Sequence, residues 1–523
     1  MRIITSLVLF TALLTACGGG GGGSNTTMAP VGWQSGVFQP ASGFANKCAV
    51  PRTGVDPFTQ MAYPDRAGTI LDGNNWLRSW TNDLYLWFNE VTDQNPALFM
   101  TTDAYFKVLK TNATTTSGAP KDKFHFTYPT ADWEALSQGG VQLGYGAQWV
   151  LISTRPPRQA LVAYTEPGSP AASAPANLAR GAEVLTVDGV DLVNDNTQAG
   201  IDTLNAGLFP STTMAHTFVI RDQPGGATRS VTMTPANITS HPVQNVATIP
   251  TATGSTGYML FNDHLATSEA ALVSAFTTLQ ATGVTDLVLD IRYNGGGYLD
   301  IASEVAYMVA GPGRTSGMTF EVTQFNSKHP TMDPVTGQAI TPVPFESVSQ
   351  GFAPNLLAGG QALPTLNLPR VFVLTGPDTC SASEAIINGL RGIGVTVVQV
   401  GSTTCGKPYG FYPQDNCGTT YFSIEFRGVN AMNFGDYTDG FSPQNAPAPT
   451  NAVLPGCSVA DDFTHALGDP AEGRLATALN YMAGGSCPVP ASGLARSLVA
   501  QQVSAVDGRL PDSPLRNLRI LRR

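Results

Sequence analysis

Short apolar runs alternate with amphipathic stretches between residues 244 and 488. The apolar runs are rich in β-branched residues, which indicates buried strands, and the stretches between them have helical periodicity. These patterns predict strands at 257–261, 286–292, 370–376 and 395–400, and helices at 268–281, 300–309 and 381–390. Alternation of this kind is typical of an α/β fold, so we predict an α/β core over residues 244–488.

Two other patterns precede this core. In the first, large apolar residues recur every three or four positions, which places them on one face of a helix. This stripe consists of Trp76, Trp80, Leu84 and Trp87. A second helix is predicted at 103–109, after a Thr/Asp cap. Residues 69–139 are therefore predicted to be a small helical N-terminal domain. Residues 140–237 change to strands separated by turns, which predicts a β-rich domain.

The first 17 residues have the pattern of a secretory signal. Arg2 precedes an apolar stretch that is too short to span a bilayer. The sequence Leu-Thr-Ala-Cys ending at Cys17 resembles the lipobox of bacterial lipoproteins, and a glycine tract follows directly. This favours an exported, membrane-anchored lipoprotein, at the periplasmic face, outer membrane or surface of a bacterium. Its lipid is attached at Cys17, with a tether and extension over 18–68. The alternative is an ordinary cleaved signal peptide with an incidental cysteine.

Composition narrows the possible partners. Only 13% of residues are charged and the net charge is −10, which argues against nucleic-acid binding. The tail over 489–523 carries the local positive charge, contributed by Arg509, Arg516, Arg519, Arg522 and Arg523. We interpret this charge as a solvated tail rather than a binding patch.

Six cysteines remain when Cys17 is set aside: Cys48, Cys380, Cys405, Cys417, Cys457 and Cys487. An even count in an exported chain indicates disulfides, and six cysteines allow 15 pairings. Their spacing does not match a zinc site. Among the pairings we favour Cys405–Cys417. Cys380 is a rival nucleophile on paper, although an oxidising compartment tends to pair or damage a thiol.

Ser381 and Lys407 are the candidate catalytic pair. Ser381 lies at the turn between a predicted strand and helix, where free backbone N–H groups can hold an oxyanion. Lys407 follows the next strand, and a lysine desolvated in an apolar pocket can activate a serine. The same Ser-x-x-Glu pattern also fits a capping box, in which Ser381 only satisfies N–H groups.

A glycine triplet, Gly295, Gly296 and Gly297, comes directly after the strand predicted at 286–292. Glycines there let backbone N–H groups approach a bound atom. Phosphate is the competing ligand, but neither a following Gly-Lys-Ser/Thr nor the Rossmann spacing is present. We therefore predict a ligand site that does not bind phosphate.

Three motifs in order resemble the carboxy-terminal processing (tail-specific) peptidases: DIRYNGGG at 290–297, SASE at 381–384 and GK at 406–407. Members of that family are serine proteases with a Ser–Lys dyad, a PDZ domain and an α/β core related to the crotonase fold. The DGFSP segment at 439–443 resembles a further family segment. The resemblance covers residues 69–483 and implies a multidomain α/β protein with a crotonase-like peptidase core, a helical N-terminal domain and a PDZ domain at 140–237.

The resemblance also implies roles for individual residues. Ser381 matches the nucleophile and Lys407 the general base, while Ser383 matches a structural cap. The backbone N–H of Ala382 forms half of the oxyanion hole. One glycine of the triplet forms the other half, with Gly296 preferred and Gly295 as the alternative.

The β-rich region resembles a bacterial-protease PDZ domain through PGSPAA at 167–172 and RGAEVLTVDG at 180–189. Its carboxylate-binding loop corresponds to Gly144, Tyr145, Gly146 and Ala147. Such a domain adds a peptide strand to its sheet edge and binds a carboxyl tail with loop N–H groups.

Two departures from the family pattern concern the lysine. The interval from Ser381 to Lys407 is one residue longer, and Phe411 stands where some members have a glutamine that orients the base. Gln414 is a weak substitute. Distant relatives use Ser/His/Glu, and His264 is the candidate for that mechanism; a buried structural histidine is its alternative.

We therefore expect a serine endopeptidase that hydrolyses exported proteins or peptides through an acyl-enzyme on Ser381. No metal or organic cofactor is implied. The main alternative is a catalytically inert peptide- or ligand-binding lipoprotein on the same fold. An esterase or amidase that uses the same dyad is a third possibility.

Overall fold

The computed structural model describes residues 33–490 except 154, 224 and 253, together with the backbone of Leu498–Val499 and Leu518–Ile520. The predicted signal at 1–17, Cys17, the first part of the tether and the side chains of the tail arginines lie outside the described residues. Within the described part of the chain, no helix combines the length and apolar character needed to cross a bilayer.

The amino-terminal region combines helices with strands that pair elsewhere. Its elements are β1 Lys47–Cys48, β2 Arg66–Ala67, α1 Ile70–Leu84, α2 Thr102–Phe106, β3 Phe126–Pro129 and α3 Thr130–Gly139, with 3₁₀ turns at Ala41–Gly43, Phe88–Glu90 and Pro96–Leu98. Helix α1 begins at a capping box between Thr69 and Asp72 and buries Trp76 and Trp80. The predicted stripe ends earlier than expected, because α1 stops at Leu84 and Trp87 lies beyond it. The second helix also ends three residues before the predicted Leu109.

Residues 141–239 form the β-rich unit. Its elements are β4 Val141–Gly144, β5 Ala147–Ser153, β6 Gln159–Thr165, β7 Glu183–Val187, β8 Val190–Asp191, α4 Gln198–Leu208, β9 His216–Arg221, β10 Thr228–Met233 and β11 Ala236–Thr239. The strand order is β10-β9-β7-β6-β5, with β8 paired to β7 and β11 paired to β4. Alternate residues of these strands and one face of α4 enclose an apolar core that includes Trp149, Leu204 and Phe218. Strand β5 therefore lies at the edge of this unit's own sheet.

The remaining residues build the α/β core. Its elements are β12 Val243–Thr251, β13 Gly254–Phe261, α5 Ser268–Ala281, β14 Asp286–Asp290, β15 Gly296–Tyr298, α6 Leu299–Ala310, α7 Pro312–Thr315, β16 Thr319–Phe325, β17 Val343–Pro344, β18 Arg370–Thr375, α8 Ala382–Gly392, β19 Thr396–Gly401, β20 Tyr409–Gly410, β21 Gln414–Asn416, β22 Thr419–Phe422, β23 Phe426–Val429, β24 Phe441–Pro443, β25 Ala452–Leu454, β26 Gly456–Ser458 and α9 Gly473–Met482. The chain continues with β27 Leu498–Val499 and β28 Leu518–Ile520. The predicted strands and helices of the core are all present, with ends that shift by a few residues.

The central sheet has the order β12-β13-β14-β18-β19-β26. Strand β12 runs antiparallel to β13, and every later neighbour is parallel. Strand β14 is buried throughout and β18 from its second residue onward, as expected for parallel strands covered on both faces. Because β14 and β18 are parallel neighbours, the loops that follow them, with the glycine triplet and Ser381, leave the sheet at the same edge.

Three smaller sheets surround this core. They are β17-β16-β23-β20, β21-β22-β3 and the parallel pair β24-β25. The register of β3 on β22 places Phe126 opposite Phe422, and their rings stack 4.3 Å apart. The amino-terminal region is thus joined to the α/β core by a shared sheet.

A buried ion network joins the β-rich unit to the core. Arg292, just after β14, donates to Asp461 at 2.7 Å and to Glu472 at 2.7 Å. Arg180, from the β-rich unit, donates to Asp461 and to the Tyr293 hydroxyl, both at 2.7 Å. Burial by itself would raise the pKa of Asp461, but the surrounding guanidinium groups lower it well below its usual range. The β-rich unit is therefore anchored beside the loop that carries the glycine triplet.

Candidate active site

Ser381 lies in a sharp turn between β18 and α8. Its φ of 60° and ψ of −111° are unusual for a residue with a side chain, and its exposed fraction is 0%. Thr379 holds the turn, since its hydroxyl donates to the Ile291 carbonyl at 2.8 Å and accepts from the Gly376 N–H at 2.9 Å. The capping box predicted as the alternative for Ser381 and Glu384 is present, although the Ser381 Oγ makes no hydrogen bond of good geometry with the described residues. A cap by itself does not require the strained backbone at Ser381, and that strain is what a reactive group would add.

Helix α8 begins immediately after this serine. Ala382 is its first residue, where the helix itself provides no acceptor for the N–H. The positive end of the helix dipole is directed to the same place. The turn therefore offers a backbone donor and a favourable field for a negative oxygen formed next to Ser381.

Lys407 is buried in an aromatic pocket. Its exposed fraction is 0%, and its Nζ lies 5.0 Å from the Phe124 ring centroid and 4.3 Å from that of Phe411. Phe124 comes from the amino-terminal region, so that region contributes a wall of the site. Phe411 occupies the position where some members of the family that the sequence resembles have a glutamine. Gln414 instead lies in β21, where its Nε2 donates to the Asp415 carbonyl at 3.1 Å.

Glu384 connects the two candidate catalytic loops. Its Oε2 accepts the Ser381 N–H at 3.0 Å and the Lys407 N–H at 2.8 Å. Its Oε1 accepts the Gly406 N–H at 2.9 Å and the Thr404 hydroxyl at 2.5 Å. The serine and lysine backbones are therefore both within hydrogen-bond distance of one carboxylate oxygen. Burial raises the pKa of Glu384, and these four hydrogen bonds oppose that shift.

The lysine loop also packs tightly against the DGFSP segment. The Phe441 N–H donates to the Thr404 hydroxyl at 2.8 Å, and the Thr404 N–H donates to the Phe441 carbonyl at 3.0 Å. Gly406 has a φ of +82°, and a Cβ there would lie 2.3 Å from the Thr438 carbonyl oxygen. Only glycine fits this position. The segment at 439–443 thus positions the loop that carries Lys407.

A disulfide joins the same two loops. The structure pairs Cys380 with Cys405, so the predicted Cys405–Cys417 pairing is wrong; Cys417 pairs with Cys48 instead, and Cys457 with Cys487. Sequence spacing could not decide this, because the strand order of the central sheet brings residues 380 and 405 together. Cys380, the rival nucleophile on paper, has no free thiol in this structure because its sulfur is in the disulfide.

The glycine triplet forms one wall of the site. The Asn294 carbonyl accepts the Cys380 N–H at 3.1 Å and the Ser383 hydroxyl at 3.0 Å, which fixes the triplet beside the serine turn. The Gly296 N–H donates to the Asn294 Oδ1 at 2.9 Å. Gly296, the preferred second oxyanion donor, is therefore engaged by a side chain in this structure.

His264 supports this wall. Its N–H donates to the Gly296 carbonyl at 3.1 Å, and its carbonyl accepts the Tyr298 N–H at 3.0 Å. Its Nδ1 lies 3.0 Å from the Asn294 Oδ1. Burial lowers the pKa of His264 to about 3, so the ring stays neutral at physiological pH. These contacts fit the structural alternative for His264.

The predicted carboxylate-binding loop lies at the start of β5, in the β-rich unit. The Gly146 carbonyl accepts the Glu166 N–H at 2.7 Å and the Tyr145 carbonyl accepts the Ala171 N–H at 2.9 Å. Gly144 ends β4 and Ala147 begins β5. The loop is therefore held against the PGSPAA turn by its own carbonyl groups.

Three contributors to the site carry no predicted role in the sequence: Phe124, Asn294 and Thr404. The sequence pattern around Glu384 indicates only the end of a capping box. The buried contacts of Glu384 with a second loop depend on the parallel pairing of β18 and β19, which no local pattern encodes. Of the three residues without a predicted role, only Asn294 lies in a motif that the sequence reveals, the DIRYNGGG motif at 290–297.

Fold and site together define an α/β protein with a buried serine at a helix N-terminus and a buried lysine tied to the same helix. Residues 255–411 match the model of peptidase family S41, and the chain therefore carries a peptidase family S41 domain. A match of this kind implies a serine-type peptidase. No curated protein matches the chain.

Solved structures support the fold. A putative S41 protease from Bacteroides fragilis NCTC 9343 is 23% identical and has a TM-score of 0.58, with 81% of this chain and 99% of that chain covered. A photosystem II D1 C-terminal processing protease is 20% identical and covers 74% of this chain and 94% of its own, at a TM-score of 0.41. The first of these shows a shared fold; the second is too distant for a structural argument.

Proposed function

We propose that this protein is a serine endopeptidase in which Ser381 is the nucleophile and Lys407 the general base. The observation that carries the proposal is the Glu384 carboxylate, which binds the backbones of both residues and so joins two loops that a mere helix cap would not need. The strained turn at Ser381 and the burial of Lys407 support the same assignment. Nothing in the comparisons favours the alternative of an inert binding protein.

The chemistry follows from these positions. Lys407 removes the hydroxyl proton as the Ser381 Oγ attacks the peptide carbonyl carbon, and it gives that proton to the leaving amine. The rings of Phe124 and Phe411 stabilise the ammonium that exists between the two steps. Lys407 then deprotonates a water molecule that attacks the ester carbonyl carbon, and it gives that proton to the Ser381 Oγ as the ester bond breaks and the acid product leaves.

The negative oxygen of each tetrahedral intermediate needs two donors. We assign the Ala382 N–H as one and an amide of the glycine triplet as the other. The Gly296 amide can serve only when the Asn294 side chain releases or shares it. With Gly296 as the second donor, substrate binding is expected to change the conformation of Asn294; with another glycine of the triplet, Asn294 is expected to stay in place.

We further propose that residues 140–237 act as a PDZ domain that recognises carboxyl tails, on a core of the crotonase type. Strand β5 is the edge strand next to the Gly144–Ala147 loop, which is the arrangement that strand addition requires. Substrates would be exported proteins or peptides. The three disulfides favour an oxidising compartment, in agreement with export and with lipid attachment at Cys17. Mass spectrometry of the mature amino terminus tests this: a diacylglyceryl-modified Cys17 supports the anchor, and an unmodified terminus contradicts it.

The catalytic assignment is tested by hydrolysis of an unfolded protein substrate with Ser381→Ala and Lys407→Ala. Each variant is expected to lose about 10⁴-fold or more in kcat, because the two groups act as one unit. Matched controls are Ser303→Ala and Lys328→Ala, which change the same residue types outside the site. If Lys407→Ala remains folded and retains activity, Lys407 is not the base. If the wild-type chain and all variants bind peptides without cleaving them, the inert binding protein is the correct class.

A further inference from the structure

Two short segments of the carboxyl-terminal tail pair with strands that matter for function. Leu498–Val499, β27, adds to the edge strand β5 in antiparallel orientation, with Leu498 opposite Leu151 and Val499 opposite Val150. Leu518–Ile520, β28, pairs in parallel with β15, with Arg519 opposite Gly297. The expectation of a solvated tail is therefore wrong for the backbone of these five residues.

Strand β28 pairs with the side of β15 that faces away from His264. The Gly296 carbonyl and the Tyr298 N–H are bonded to His264, so backbone alternation turns the N–H and C=O of Gly297 to the opposite side. In a parallel pair with this register, the Gly297 N–H faces the Leu518 carbonyl and the Gly297 carbonyl faces the Ile520 N–H. Strand β28 also contacts α8, which begins just after Ser381, and β20, which follows Lys407.

The site is closed in this structure. Ser381 and Lys407 are both 0% exposed, and the residues of β15 are buried as well. A protein substrate needs an extended stretch of backbone beside the nucleophile, and the backbone of β28 already lies along the wall that such a stretch would use. A substrate strand added to β15 would need the backbone groups that β28 already pairs with.

We propose that the carboxyl-terminal segment of this chain is an in-cis ligand of its own peptidase site, binding β5 through Leu498–Val499 and β15 through Leu518–Ile520. Docking of the tail does not depend on the proposed function. Its consequence does, because only in a peptidase must the tail leave before substrate enters. A tethered segment has an effective concentration of about 1 mM. Even a weak site with a Kd of about 0.1 mM would then be about 90% occupied.

The register supplies a matched pair of variants of the full chain. Ile520→Pro removes an N–H that faces the Gly297 carbonyl, whereas Arg519→Pro removes an N–H that alternation turns away from β15. Hydrogen–deuterium exchange of the peptide containing residues 295–299 reports the pairing without any need for catalysis. We expect faster exchange, by about tenfold, in Ile520→Pro, with Arg519→Pro close to the wild type.

Activity is the second readout. Hydrolysis of a short peptide and labelling of the active serine by a fluorophosphonate are expected to rise about tenfold in Ile520→Pro. A synthetic peptide of residues 511–523 should reverse that gain, and a scrambled peptide should not. Equal exchange at 295–299 in all three proteins overturns the tail proposal. Faster exchange in Ile520→Pro without hydrolysis or labelling in any protein supports tail docking and overturns the proposed peptidase function instead.

Discussion

Glu384 is the residue whose replacement most directly tests how the site is built. In Glu384→Gln the shape is kept, but one of the two carboxylate oxygens becomes an NH₂ group. Whichever way the amide is turned, that NH₂ faces two donors: either the N–H groups of Ser381 and Lys407, or the Gly406 N–H and the Thr404 hydroxyl. The hydroxyl can rotate to accept, so the orientation towards Gly406 and Thr404 is the less costly one.

The size of the effect follows from these contacts. Each buried donor left without an acceptor costs about 1–3 kcal/mol, so two lost acceptors would cost about 2–6 kcal/mol. Removing a carboxylate whose pKa is raised by burial returns part of this cost. We expect a net loss of about 2–4 kcal/mol in the free energy of unfolding. A shift of about 1 Å between nucleophile and base lowers kcat by about 10²-fold.

The assay combines chemical denaturation with kcat and KM for a peptide substrate. The matched control is Asp56→Asn, because Asp56 is also a buried carboxylate that accepts two backbone N–H groups, from Phe58 and Thr59, but in the loop before α1. Both of these N–H groups bind the same oxygen, which an asparagine keeps, so the control should change little in stability and keep its kcat. A folded Glu384→Gln protein with kcat within twofold of the wild type would refute the idea that this carboxylate positions the pair.

Four further predictions follow from the same structure. Replacing Cys380 and Cys405 together by alanine removes a 25-residue link and should cost about 3 kcal/mol of stability and about tenfold in kcat/KM; equal kcat/KM would contradict the link to the base loop. Ser381→Gly should have a free energy of unfolding about 1 kcal/mol higher than that of Ser381→Ala, because glycine tolerates the positive φ; equal denaturation midpoints would argue against strain. Burial lowers the pKa of His125 to about 4, so the folded state loses stability as pH falls from about 6.5 to 4, and His125→Gln should flatten this part of the melting profile. Burial and the neighbouring Glu269 raise the pKa of Glu304 to about 10, so stability falls as pH rises from 4.5 towards 10; Glu304→Gln should remove this slope between pH 6 and 9, and an unchanged slope would count against the assignment.

Local patterns were sufficient for much of the architecture. The helix predicted at 268–281 has exactly the bounds of α5, and the strands at 286–292 and 370–376 differ from β14 and β18 only at their ends. This succeeds because amphipathic periodicity and apolar runs report which face of an element is buried. The helix predicted to continue through Leu109 ended at Phe106, since end positions depend on capping and packing.

The chemical types in the candidate site were also readable from the sequence. Ser381, Lys407 and the glycine triplet each follow a predicted strand, and parallel strands deliver their following loops to one edge of a sheet. Domain limits and site roles remain predictions. Local sequence was therefore enough to identify the elements and the candidate residues that follow their ends.

The connections among those residues depend on the tertiary fold. The pairing of Cys380 with Cys405, the contacts of Glu384 with both loops and the Phe124 wall of the Lys407 pocket join residues that are distant in sequence. The pairing of the tail with β15 is another such contact. Periodicity encodes burial of one element at a time, whereas these contacts depend on the order of strands and on the path of the loops between them, for which local sequence carries no signal.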